Sequence, residues 1–195
     1  MLLIGDSLLQ HVRKPMTVPC EPVETHIVSI GGCTIDRLIA LMQKDHFRGL
    51  VSHQKHVVLM IGTNTLAREK SQSAIVKVKE LVQIIHRKYP FLQTVALCTV
   101  PARTRTSIFY RAYGDNGGKS IRKRIKKYNR KLKRLRKKLR VSIIELTFDP
   151  AKHLSPDGLH PNGKGIGHIS DVLQTYADTI RPTDSDCTFA RGDRV

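Results

Sequence analysis

Met1-Leu2-Leu3-Ile4-Gly5-Asp6-Ser7-Leu8-Leu9-Gln10 is the stretch around which the rest of the chain arranges itself. Four apolar residues, too few for a helix, run into Gly5-Asp6, the pattern of a buried parallel strand ending in a tight turn. Ser7 stands in that turn, and Leu8 to Arg13 is expected to begin a helix. The Ser7 hydroxyl would then lie at the carboxyl end of a strand and the amino end of a helix. Open α/β sheets bind ligands at such places, and free backbone N–H groups there favour negative charge. Taken alone, Gly-Asp-Ser more often makes an ordinary turn.

A serine hydroxyl is a weak nucleophile near neutral pH and needs a base within reach, which in turn needs an orienting group. Such a pair occurs far along the chain, in Ser155-Pro156-Asp157-Gly158-Leu159-His160-Pro161-Asn162. A short turn there can fold the Asp157 carboxylate onto one imidazole nitrogen of His160 and leave the other to face a serine. Two more apolar runs end in Ile30-Gly31-Gly32-Cys33-Thr34 and Met60-Ile61-Gly62-Thr63-Asn64. The backbone N–H of Gly32 and the side-chain amide of Asn64 are donors suited, with the N–H of Ser7, to an oxyanion hole. For Gly31-Gly32 the plainer account is a strand-to-helix turn that needs positive φ.

Gly-Asp-Ser-Leu at 5–8, Gly32, Gly-Thr-Asn at 62–64 and Asp-x-x-His at 157–160 resemble, in order, the four blocks of the SGNH (GDSL) hydrolases. The resemblance runs from Gly5 to about Ile180. It implies Ser7 as nucleophile, His160 as base, Asp157 as its partner, and Ser7, Gly32 and Asn64 as the oxyanion hole, with neither cofactor nor metal. It also implies a short-chain, acetyl-like ester as substrate. One departure stands out: many members carry Asp after the Asn, and here that residue is Thr65.

The remaining sequence supplies the scaffold. Pro15 to Pro22 reads as a loop, and Glu24 to Ile30 as a β-branched second strand. Thr34 suits the N-cap of a helix with Ile35, Leu38, Ile39 and Met42 on one face. Val57 to Ile61 is a third strand. Ser71 to Tyr89 is a helix with Ile75, Val78, Leu81, Val82 and Ile85 inward, stopped by Pro90. Thr94 to Val100 is a fourth strand and Val141 to Leu146 a fifth. A last helix opens at Gly163, with Ile169, Leu173, Tyr176 and Ile180 inward, and Pro182 stops it. This alternation predicts βαβ crossovers and a parallel sheet, hence a three-layer α/β/α sandwich. The family resemblance adds a five-stranded, flavodoxin-like order, 2-1-3-4-5, with the site at the switch beside strand 1. Ala102 to Gly118, with Tyr110 and Tyr113, is expected to line the site or to be mobile.

The length of 195 residues suits one domain,. Residues 1–181 are read as the hydrolase-like domain and 182–195 as a polar tail in which Arg191-Gly192-Asp193 occurs by chance. Cys20, Cys33, Cys98 and Cys187 are too scattered for a zinc site or a disulfide framework and are taken as thiols. His53 and His56 lack a third ligand at metal spacing. No apolar run approaches the roughly 18 residues of a membrane span, and no signal peptide precedes Leu2. The expectation is an intracellular protein, cytoplasmic or nuclear, although so early a nucleophile also suits a domain cut from a longer polypeptide.

Lysines and arginines number 34 against 16 acidic residues, a formal charge of +18. Fourteen of these cations fall between Lys119 and Arg140, with no acidic residue among them; without them the charge would be +4. Ile121, Ile125, Tyr128, Leu132, Leu135 and Leu139 recur at spacings of three and four, so the segment reads as a helix with one apolar stripe and an otherwise cationic surface. A solvated face is the usual account of a charge run. Unrelieved repulsion of like charges argues here for an anionic partner, RNA or DNA before an anionic membrane. Lys123, Lys126, Arg130 and Lys137 are the residues expected to meet phosphate. Two readings therefore stand: a serine esterase carrying a basic helix, or a nucleic-acid-binding module on a hydrolase scaffold with little turnover. Esterase domains of LINE-type retrotransposon proteins, which stand beside nucleic-acid-binding parts, would accommodate both features.

Overall fold

The computed structural model describes residues 1–13, 25–104 and 119–180. Five strands, β1 (Leu2–Gly5), β2 (His26–Ser29), β3 (His56–Met60), β4 (Thr94–Cys98) and β5 (Ser142–Ile144), form one sheet in the order β2-β1-β3-β4-β5. Every pairing is parallel, with Leu3 of β1 beside Ile27 of β2 on one side and Val58 of β3 on the other. The helices are α1 (Ile35–Met42), α2 (Asp45–Ser52), α3 (Thr63–Arg68), α4 (Ser71–Lys88), α5 (Lys119–Leu139), α6 (Pro150–His153) and α7 (Gly163–Thr179).

Because successive side chains of a strand point to opposite faces, the continuous apolar runs of β1, β3 and β4 feed two cores at once. Leu2, Ile4, Val57, Leu59, Val95 and Leu97 pack with the inner stripes of α1, α4 and α5. Met1, Leu3, Val58, Met60, Ala96 and Cys98 pack instead with Ile169, Leu173 and Ala177 of α7. This is the three-layer α/β/α sandwich expected from the sequence. Ile75, Val78, Leu81, Val82 and Ile85 of α4 are buried as the stripe predicted. Of the α5 stripe, Ile121, Ile125, Tyr128, Leu132 and Leu139 are buried, with Leu135 partly so. Thr34 caps α1 as expected, its hydroxyl accepting the Arg37 N–H at 3.3 Å.

Several elements differ from the sequence expectation. The helix anticipated after Ser7 is a single 3-10 turn, Ser7–Leu9. Asp6 accepts the Leu8 N–H, and bonds from Gln10 to Ser7 and from Val12 to Leu9 are of the tight i to i+3 kind,. Leu8, Leu9 and Val12 are all buried against the α7 side of the sheet, so packing sets this path rather than helical periodicity. No long helix dipole therefore stands behind Ser7. Helices α2, α3 and α6 were not anticipated, and β2, β4 and β5 are shorter than the apolar runs that announced them. The Pro15–Pro22 loop, Tyr110, Tyr113, Cys20, Cys187 and the 182–195 tail lie outside the described residues.

Candidate active site

Three neighbouring strands end at the site. Gly5 gives the Ser7 turn its closeness to the sheet: a Cβ there would lie 2.4 Å from the Met60 carbonyl oxygen and 2.8 Å from the Leu9 side chain. The turn is tied on both sides. Asp6 N–H donates to the Met60 carbonyl at 3.2 Å, and the Ser29 hydroxyl donates to the Asp6 carbonyl at 3.0 Å. Ser7 is half-buried and opens onto a cavity of about 280 Å³ lined by Ser7, Leu8, Gln10, His11, His160, Pro161 and Ile166. The two ends of the chain thus meet at one cavity, with Ser7 and His160 on its walls.

His160 is oriented by a turn of its own loop. Asp157 Oδ2 lies 2.7 Å from His160 Nδ1, while Asp157 Oδ1 accepts the N–H groups of Leu159 at 2.9 Å and His160 at 3.0 Å. Burial raises the Asp157 carboxyl, but the His160 ring and the two backbone N–H groups outweigh it and hold the group below its ordinary range,. Asp157 therefore stays ionised at neutral pH and fixes the Nδ1–H tautomer of the neutral ring, which leaves Nε2 as the acceptor. The loop is anchored at its far end by Asn162, which caps α7 by accepting the Gly165 N–H at 3.0 Å and donates to the carbonyls of Lys152 and Leu154.

Gly32 is exposed, sits at φ +64°, and has nothing within 4 Å of where a Cβ would project. The turn requirement and the open approach coexist at this residue. Asn64 lies on α3 rather than in an open loop, and its Nδ2 donates to the Cys33 carbonyl at 3.1 Å. A carboxamide nitrogen has two protons, so one donor is left for a ligand. Thr65 is fully buried, and its hydroxyl accepts the Ile35 N–H at 2.9 Å. The residue that departs from the family pattern thus clamps α3 to the start of α1, beside Gly32. The nearby Cys33 is held as a neutral thiol, because burial, with the Asp6 charge adding to it, pushes its group up to about 11,.

Arg103 lies in the Ala102 to Gly118 segment, where the sequence does not single it out. Its side chain is in fact buried, and Nη2 donates to the Thr63 carbonyl at 2.9 Å, next to Asn64. Its charge also favours the carboxylate of fully buried Asp6, next to Ser7. The following residue, Thr104, donates its N–H at 2.9 Å and its hydroxyl at 3.3 Å to the Gly158 carbonyl, within the Asp157/His160 loop. Two consecutive residues thereby brace all three parts of the site. Burial lifts the Asp6 carboxyl from 3.8 to about 6, against the Leu8 N–H, the Thr63 hydroxyl and the charges of Arg103 and His160. Among the described residues, Asp6 Oδ2, Arg103 Nε and Arg103 Nη1 have no hydrogen-bond partner. No local pattern marks Arg103, whose partners are distant in sequence.

On α5 the sequence-selected residues separate. Lys126 and Arg130 line a second cavity, between α5 and the segment after β5, whereas Lys123 and Lys137 are exposed but do not line it. Among the described residues the α5 cations make one ion pair, Lys133 with Glu145. No group of three or more His, Cys, Asp or Glu able to hold a metal stands together among the described residues, and His56 instead bonds Thr94 at 2.9 Å. Among those residues no helix is long and apolar enough to cross a membrane.

The comparisons agree with this architecture. Residues 3–166 match the profile of the GDSL-like lipase/acylhydrolase family. The chain belongs to that family, and is thus an ester hydrolase of the SGNH type. No curated protein sequence is similar enough to match it. A GDSL-like lipase from Bacteroides thetaiotaomicron superposes with a TM-score of 0.67 at 14% identity, covering 92% of this chain and 88% of that one. A member of the lipolytic G-D-S-L family from Veillonella parvula gives 0.63 at 15% identity, over 90% and 97%. An acetylxylan esterase from Geobacillus stearothermophilus gives 0.63 at 16%, over 89% and 91%. At such identities these neighbours are evidence of shared fold.

Proposed function

We propose that the chain hydrolyses short-chain acyl esters by a Ser7-His160-Asp157 mechanism. The observation that carries the reading is the 2.7 Å Asp157–His160 pair, whose imidazole shares a cavity with Ser7. Ser7 Oγ attacks the ester carbonyl carbon as its proton passes to His160 Nε2. The resulting oxyanion is held by the N–H groups of Ser7 and Gly32 and the Asn64 amide. Collapse breaks the bond to the alcohol, which leaves with the proton from His160. Water then attacks acyl-Ser7, giving its proton to His160, and the acid departs as the proton returns to Ser7.

A cavity of about 280 Å³ lies just below the usual range of small-molecule pockets and favours a short acyl group,. The acetyl chemistry named for the Geobacillus neighbour points the same way. With p-nitrophenyl esters of increasing length, turnover is expected to be greatest for acetate and to fall beyond butyrate. Activity that rises with acyl length would contradict the assignment of substrate class. Ser7→Ala is expected to reduce acetate hydrolysis by about 10⁴-fold or more, with an unchanged far-ultraviolet circular dichroism spectrum. Retained activity would remove Ser7 from the reaction.

A second reading is favoured by α5. Among the described residues, only Lys133 of its long run of cations is paired with a carboxylate, so like-charge repulsion along the helix is largely unrelieved there. Phosphates of RNA or DNA would relieve it, with little dependence on base sequence. The esterase then carries its own nucleic-acid contact; the alternative of a binding module with little turnover is decided by the Ser7 experiment.

A further inference from the structure

The cations of α5 are not equivalent, because one row of them forms the wall of a groove. The cavity between α5 and the segment after β5 measures about 870 Å³. Arg122, Lys126 and Arg130, spaced four residues apart, lie along its α5 side. In an α-helix that spacing sets them about 6 Å apart along the axis, comparable to successive phosphates of an extended strand. Lys133 continues the row but is paired with Glu145. One carboxylate, Asp149, also lines the groove, and it is partly engaged in capping α6 and in an ion pair with Lys152 at 3.7 Å.

The floor is of opposite character. Val100, Ile125 and Leu146 are apolar and buried. Asn129 fixes this floor to α5 by accepting the Val100 N–H at 2.9 Å and donating to the Val100 carbonyl at 2.8 Å. Toward α6 the lining includes two rings, Phe148 and His153. Phe148 meets His153 edge-on at 5.1 Å, and His153 stacks on His168 at 5.1 Å with the rings 5° from parallel. His153 Nδ1 also accepts the Asp149 N–H at 3.1 Å, so the ring is held in place.

A cationic wall beside a recessed apolar and aromatic floor suits a ligand that is anionic along one edge and flat and apolar along the other. A single-stranded nucleic acid has that form, and proteins bind it by tracking the backbone with cations while stacking the bases on rings. A duplex hides its base faces and has no use for such a floor. A membrane surface would call for protruding apolar side chains, and among the described residues the large exposed hydrophobic ones, Leu50, Val76 and Phe91, all lie off α5. We propose that this groove is the track for single-stranded RNA or DNA, with phosphates on Arg122, Lys126 and Arg130 and bases against Phe148 and His153. The proposal rests on the reading that α5 binds nucleic acid and assigns that binding to one face.

Two charge-matched variants of the full chain separate the face from the charge. Lys126→Ala/Arg130→Ala removes two groove cations, and Lys127→Ala/Arg134→Ala removes two exposed cations that do not line the groove. Binding is read by fluorescence anisotropy with a labelled oligouridylate over a range of salt. The groove pair is expected to weaken binding roughly tenfold more than the outer pair, and to reduce the slope of log K against log salt by about 1.4, as for two lost single-strand phosphate contacts. Phe148→Ala is expected to weaken the single strand while leaving the weaker binding of duplex RNA unchanged. Equal losses from both pairs, or duplex bound as tightly as single strand, would overturn the groove while leaving α5 a nucleic-acid-binding helix. No binding of either nucleic acid at low salt, including the case in which the chain binds phosphatidylserine vesicles instead, would overturn both.

Discussion

Arg103→Met is expected to lower the unfolding free energy by about 1–3 kcal/mol, the cost of leaving the buried Thr63 carbonyl without its charged donor,, and to remove a charge that favours the Asp6 carboxylate. Arg103 and Asp6 are both buried, and each charge favours the other. The pH dependence identifies the cause. A buried carboxyl raised from 3.8 to about 6 binds its proton more tightly in the folded chain than in the unfolded one. Its favourable contribution is complete below 3.8 and is lost as pH rises through about 6. Without Arg103 the Asp6 carboxyl rises further, so the deficit in Tm relative to the native chain should be larger at pH 8 than at pH 5. Loss of the bond to the Thr63 carbonyl, beside Asn64, should lower kcat more than it raises KM. Arg103→Lys restores the charge and should recover part of both losses. A deficit that does not vary with pH would detach Arg103 from Asp6.

Asp157→Asn is the second large effect. An asparagine can still accept the Leu159 and His160 N–H groups through its carbonyl oxygen, so the loop should keep its shape. Its amide nitrogen would then face His160 Nδ1 and donate to it, placing the ring proton on Nε2. The base would present a proton to Ser7 instead of a lone pair, and kcat is expected to fall by about 10³–10⁴. The native Asp157 carboxyl is held below its ordinary range, so its contribution to stability is present above 3.8 and disappears as pH falls through its folded value,. In the variant that acid-side loss of stability should be missing. Full activity would show that His160 does not depend on Asp157 for its tautomer.

What the sequence disclosed follows from the range of the interactions concerned. The strand carrying Leu2 to Gly5, the long stripes of α4 and α5 and the Asp157-x-x-His160 turn are set by neighbours a few residues away, and periodicity or turn chemistry marks them. The short helices α2, α3 and α6 span at most eight residues, too few to display a stripe, and Gly49 interrupts the one in α2. The turn after Ser7 looked helical because Leu8, Leu9 and Val12 have helical spacing, yet their burial against the sheet is met by a tighter path. Arg103 was invisible because its partners lie far off in the chain, at Asp6 and Thr63. Thr65, conspicuous as a departure, has a role that only the Ile35 contact reveals. The groove was hidden for a similar reason: α5 could be read as cationic, but not which of its rows would face Leu146 and Phe148.

The central claim is that Ser7 is activated by an imidazole delivered from the other end of the chain. A fluorophosphonate probe reports this directly, because it bonds covalently to a serine only where a base and an oxyanion site act on it together. Peptide mass spectrometry of the labelled protein is predicted to place the adduct on Ser7, and labelling should be lost in both Ser7→Ala and His160→Ala. An adduct on another residue, or Ser7 labelled equally well without His160, would contradict the account.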